Sequence, residues 1–195
     1  MSTTTSTPDR TPPADTDDVV GRSRAHLAEP ARSLLQRVIA TDDRIAPAVA
    51  RLALGLVMLP HALQKVLGWF GGPGLSGAYS AFTTKMGIPG PLAFLAIAAE
   101  LLGAVGLVLG LLTRAAAAAI VAVMLGAVAI VHLPHGFFMN WSGQQAGEGS
   151  EYHVLAIALG VVCLIAGGGR ASIDRALMRW RPAEGGGVSP ALSQR

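Results

Sequence analysis

The sequence predicts an all-α fold, a polytopic membrane protein built as a four-transmembrane-helix bundle with short amphipathic surface helices. Three observations carry this. The 195 residues are 51% hydrophobic and 14% charged, with a mean hydropathy of +0.49, too apolar for an ordinary soluble domain. Four apolar stretches, about 45–67, 91–112, 114–133 and 151–168, approach the roughly 20 residues that cross a bilayer. Lys and Arg gather at alternate ends of those stretches, as a membrane topology requires. The basic pI of about 9.6 therefore reads as topology. No basic stripe with interleaved aromatics is present, and no nucleic-acid partner is expected.

Residues 1–44 read as a cytoplasmic tail. Met1 to Glu29, rich in Ser, Thr, Pro, Asp and Arg, offer too little apolar surface to offset the entropy of ordering. No cleavable signal is recognisable there, so the first span is expected to drive insertion. Over 30–40, Leu34, Leu35, Val38 and Ile39 share a helical face flanked by Arg32 and Arg37, the pattern of a helix lying at the membrane interface. Thr41, Asp42 and Asp43 supply capping side chains for the helix after them.

The membrane domain is expected over 45–180. Arg51 lies near the start of the first span, from which its guanidinium can extend to the headgroups. Near the other end, Pro60 removes a backbone donor, a mark of a kink or a wet pocket, and His61 and Lys65 follow one turn apart on one side. Gly68 to Gly90 link the first two spans. Within them Leu75, Tyr79, Phe82 and Met86 repeat at helical spacing, predicting a surface helix that forms either a lid or a re-entry loop anchored by Trp69 and Tyr79.

The second span carries one ionisable residue, Glu100. At ~100° per residue, Ala96, Glu100, Gly103, Gly106 and Gly110 fall within about 120° of arc. Small residues mark the side where a neighbouring helix approaches, so Glu100 faces protein and not lipid. Thr113 and Arg114 then make a tight turn, forcing the second and third spans to be antiparallel neighbours. In the third span the Ala run and Gly126 permit close contact, and His132, about 120° around the helix from Gly126, falls at the edge of the bundle. Residues 136–150, with Phe137, Phe138 and Trp141, form an interfacial loop. The fourth span opens with Glu151, Tyr152 and His153 and stops at Gly167, Gly168 and Gly169. Ser172 to Trp180 form a short basic surface helix before a disordered tail over 181–195. By the positive-inside rule both termini are cytoplasmic.

That orientation puts His61, Lys65, Glu100, His132, His135, Glu151 and His153 in the outer half of the bundle. The candidate ligand-binding residues are His61, Lys65, Glu100, His132 and Glu151; no residue is assigned a catalytic role. A bound quinone, or another apolar molecule with polar carbonyls, suits an apolar cavity with few polar groups. A metal site is disfavoured, because Pro134 breaks the helical spacing of His132 and His135 and there is no HExxH. The single cysteine, Cys163, sits in an apolar run as a packing residue, leaving no redox pair.

These motifs resemble the DoxX family of small bacterial membrane proteins. The resemblance rests on Arg51, Leu54 and Gly55; His61 with Lys65; Gly87-Ile88-Pro89; Ala99-Glu100; Gly110 to Arg114; His132 with Gly136-Phe137-Phe138; Glu151; and Gly169, Ser172 and Asp174. It covers about Arg51 to Leu177, with Ala62 standing where the family more often has glycine. It implies a four-helix bundle in the bacterial plasma membrane and a component of a membrane oxidoreductase system, in some relatives one that handles oxidative stress. Its redox equivalents would come from soluble or membrane oxidoreductase partners. Two other functions fit the sequence: a non-catalytic membrane scaffold for such partners, and a small solute or proton carrier.

Overall fold

The computed structural model describes residues 34–180. The tails over Met1–Glu29 and 181–195 lie outside the described residues, and the interfacial helix expected over 30–40 is described from residue 34, with 34–39 helical. The chain divides into two units, Met1–Leu35 and Gln36–Arg195, and the helical bundle lies within the second.

The described residues are helical and contain no strand. Helix α1 spans Ile45–Leu67, α2 Gly74–Ser80, α3 Gly90–Leu109, α4 Thr113–Ala127, α5 Glu151–Ala166 and α6 Ile173–Arg179. A π-helical turn at Ala81–Lys85 extends α2, and another at Val128–His132 followed by a 3-10 turn at Leu133–His135 prolongs α4. Three helices are long and apolar enough to cross a membrane, Ile45–Leu67, Gly90–Leu109 and Thr113–His135; Glu151–Ala166 is a shorter apolar helix. Helix α1 packs on α3 and α5, and α4 packs on α3 and α5. The four therefore form a closed ring around one core, where Leu54, Met58, Leu107, Ile120 and Cys163 are buried. Cys163 is a packing residue, as expected.

Lipid tails are as apolar as these side chains, so close fit and hydrogen bonds hold such a bundle together. Close fit comes from glycine. A Cβ on Gly103 would sit 2.9 Å from Ile120 Cδ1, and one on Gly106 would sit 2.9 Å from Ala116 Cβ. Any larger residue would push α3 away from α4.

Hydrogen bonds are concentrated at the end where α1 begins and α3 and α5 end. Arg51 is 1% exposed. Its Nη1 donates to the carbonyls of Leu107 and Val108, both at 2.7 Å, its Nε to Gly168 O at 3.0 Å and its Nη2 to Ala171 O at 3.2 Å. One guanidinium thus satisfies acceptors left over at the ends of two helices. The expected extension to the headgroups is corrected: those carbonyls are nearer, and pairing them inside the bundle removes a larger desolvation cost. Arg114 does the same for α5, donating to Leu164 O, Ile165 O and Ala40 O. Asp174 accepts from the backbone N–H of Leu112 and Thr113 at 2.7 and 2.8 Å, capping the start of α4 from α6. The corner it holds runs through Gly110 at φ 66° and Leu112 at φ 48°, so a side chain other than hydrogen at Gly110 would be strained.

The capping expected of Thr41, Asp42 and Asp43 is also corrected. Arg44 stands at the N-cap of α1 without a side-chain cap bond. Thr41 Oγ1 instead accepts from Gly169 N at 2.6 Å, and Asp43 pairs with Arg175. The segment before α1 is fastened to the turn after α5, not to its own helix.

Candidate functional site

At the opposite end the ring opens around a cavity of about 780 Å³. Its walls are mostly apolar, and its polar groups come from three helices. Helix α1 contributes His61 and Lys65, α3 contributes Glu100, and α5 contributes Tyr152 and His153; His132, from the π-helical turn beyond α4, and Glu148, from the loop before α5, complete the set. Phe82 and Met86, beyond α2, close one side, so the segment between α1 and α3 covers the cavity as a lid would.

Lys65 and Glu100 form the centre of this arrangement. Lys65 Nζ lies 2.6 Å from Oε1 and 2.7 Å from Oε2 of Glu100, and the carboxylate side chain is 1% exposed against 29% for the lysine. The buried charge is therefore paired and turned inward, on the face that the glycine stripe marks. An ammonium has three donors. Two go to Glu100, and the third has no partner among the described residues.

The aromatic and imidazole groups form a second wall. His61 lies with its ring 6.1 Å from that of Tyr152, and His132 with its ring 4.0 Å from that of His153. Tyr152 Oη donates to Met58 Sδ at 3.3 Å. His153 is 7% exposed, and its Nδ1 has no hydrogen-bond partner among the described residues. Buried nitrogens are nearly always paired, so this one marks a place where a partner is missing.

His132, expected at the edge of the bundle, is half-buried and lines the cavity. It lies in the π-helical turn at Val128–His132 and shares the cavity wall with Val123 and Ala127, its ring against that of His153. Its Nδ1 lies 2.8 Å from Glu148 O. Gly126 also departs from expectation: a Cβ there would meet nothing within 4 Å, so it faces the cavity and makes no close helix contact.

Of the five candidate residues, His61, Lys65, Glu100 and His132 line the cavity, and Glu151 does not. Glu151 Oε2 accepts from Met139 N at 3.2 Å, and its backbone N–H donates to Phe137 O at 2.8 Å, which fastens the 136–150 loop to α5. His135 packs against that loop beside Gly147. Tyr152 and His153 take the place that sequence reasoning gave to Glu151. The signal was present: His153, Ala156, Gly160 and Cys163 recur every three or four residues and are all buried, so His153 belongs to the inner face of α5. No group of three or more potential metal ligands occurs among the described residues.

Comparison with curated proteins and with solved structures gives no match. Residues 46–133 match the family model described as DoxX, a range that runs from the start of α1 to His132 and its neighbour Leu133 and so includes the Lys65–Glu100 pair. With three apolar helices of spanning length, this chain is a multi-pass membrane protein with a DoxX family match over residues 46–133.

Proposed function

We propose that this protein crosses the bacterial plasma membrane four times, with both termini cytoplasmic, and serves a membrane oxidoreductase system by binding a quinone-like molecule in the cavity. The observation that carries the proposal is the pairing of Lys65 with Glu100 on the wall of a large apolar cavity. An apolar ring system fits the walls, and a carbonyl oxygen would accept the third N–H of Lys65, held in place by Glu100. His61, facing the same space, is a second donor for the head.

The fourth span is α5. Its 16 residues rise ~24 Å at ~1.5 Å each, short of a ~30 Å hydrocarbon core but adequate with the turns at its ends and local thinning. The arginine-rich end then faces the cytoplasm and the cavity faces outward. Electrons come from a partner, since Cys163 is the one cysteine of the chain and a single thiol makes no redox pair. A carrier has less support. At the end opposite the cavity Arg51 and Asp174 are each 1% exposed and are bonded to the backbone of neighbouring helices.

The test is quinone binding by the full-length protein in lipid nanodiscs. Wild type retains quinone, and Glu100→Gln, which releases Lys65 from its fixed position, weakens retention about tenfold or more. Wild-type protein that retains none would overturn the proposal.

A further inference from the structure

Helices α3 and α4 leave the corner at Gly110–Leu112 together and then part. Near the corner they touch, Gly106 against Ala116 and Gly103 against Ile120. Ala96 and Gly126 each lie 14 residues from the corner, counted from Gly110 and from Leu112, so they stand at the same level, ~21 Å along their helices at ~1.5 Å per residue. There the Cβ position of Gly126 has no neighbour within 4 Å. The gap opens onto the cavity, because Ala96, Ala99, Ala122 and Gly126 all line it. It also opens onto the lipid-facing surface. Leu95 and Ile130 line the same cavity and are 60% and 50% exposed, which makes them its rim.

We infer that the ligand enters sideways from the bilayer through the gap between α3 and α4, with an oxygen-bearing head bonded at the wall that carries His153 and a hydrocarbon tail lying against Gly126. This rests on the reading of the cavity as a quinone site and narrows it to molecules with a tail. Two independent features support it. The gap is walled by alanine and glycine where larger apolar residues would close it, and space in an apolar site belongs to an apolar occupant. At the inner wall His153 lines the cavity beside His132, and an imidazole can bond a head group bearing oxygen. A water-soluble solute would not need the apolar gap.

The experiment compares decylubiquinone with its tail-less parent, 2,3-dimethoxy-5-methylbenzoquinone, on the full-length protein in nanodiscs. Gly126→Phe fills the gap and leaves the inner wall intact. It should weaken decylubiquinone about tenfold while the tail-less quinone stays within about twofold. His153→Leu should weaken both alike. Ala122→Phe, one turn earlier on the same wall, repeats the first result should Gly126→Phe fail to fold, as its thermal midpoint will show. Equal loss of both quinones in the gap variants, or loss of neither, overturns the sideways route while leaving the quinone site standing. If wild type binds neither quinone but carries a fatty acid that Gly126→Phe expels, the route holds and the quinone reading falls.

Discussion

Lys65 and Glu100 are asymmetric partners, because the lysine keeps 29% of its side-chain surface and the glutamate 1%. Losing the lysine is therefore the damaging change. Lys65→Met strands a buried carboxylate, at a cost of about 3–5 kcal/mol, and should lower the thermal midpoint in detergent. The double variant Lys65→Met, Glu100→Leu should recover most of that loss, since apolar side chains of similar volume replace a buried pair at little cost. A double variant as unstable as the single one would show that something other than the unpaired charge is at fault. The inward direction of Glu100 was legible from its spacing to Gly103 and Gly106. Its partner was legible only as a residue near the end of another span, since sequence does not say which turns of two helices face each other. Arg51 was misread for the same reason: the carbonyls it binds belong to α3 and to the turn after α5.

At the scale of elements, the corner between α3 and α4 depends on α6. Asp174 accepts two N–H groups at the start of α4, and its own N–H donates to Gly110 O at 2.9 Å. Bonds to a charged acceptor contribute about 1.5–3 kcal/mol each, so Asp174→Ala, which removes two, should destabilise the corner by about 3–6 kcal/mol. Hydrogen exchange should speed up at Leu112 and Thr113 before it does at the core of α4. Unchanged exchange there would mean that the carboxylate is not what holds the turn. The helices themselves were legible from hydropathy and from glycine and proline punctuation, and their ends agree with the structure to within a few residues. The π-helical turn that carries His132 was not. Nothing in the local sequence VAIVH announces an extra residue in the turn.

The molecule as a whole has two unlike ends. One is dense with charge-assisted bonds from Arg51, Arg114 and Asp174 to helix termini. The other encloses about 780 Å³ of mostly apolar space. A bundle held firmly at one end can be left open at the other, because close fit near the corner and the capped termini fix the helix positions without contacts around the cavity. The cationic end was visible in sequence as topology, but its work in tying helices together was not. The cavity was visible only as a set of ionisable residues. Its volume comes from what Ala96, Ala122 and Gly126 leave unfilled, and small residues look alike whether they pack closely or stand apart. Whether quinone occupies that space is decided by irradiating the full-length protein in its own membranes with a photoreactive quinone and mapping the labelled peptides. Labels should fall on the segments containing Lys65, Glu100 and His153 and should be displaced by unlabelled quinone. Labels confined to lipid-facing residues such as Leu102 and Ile165, or undiminished by competition, would contradict a quinone site in the cavity.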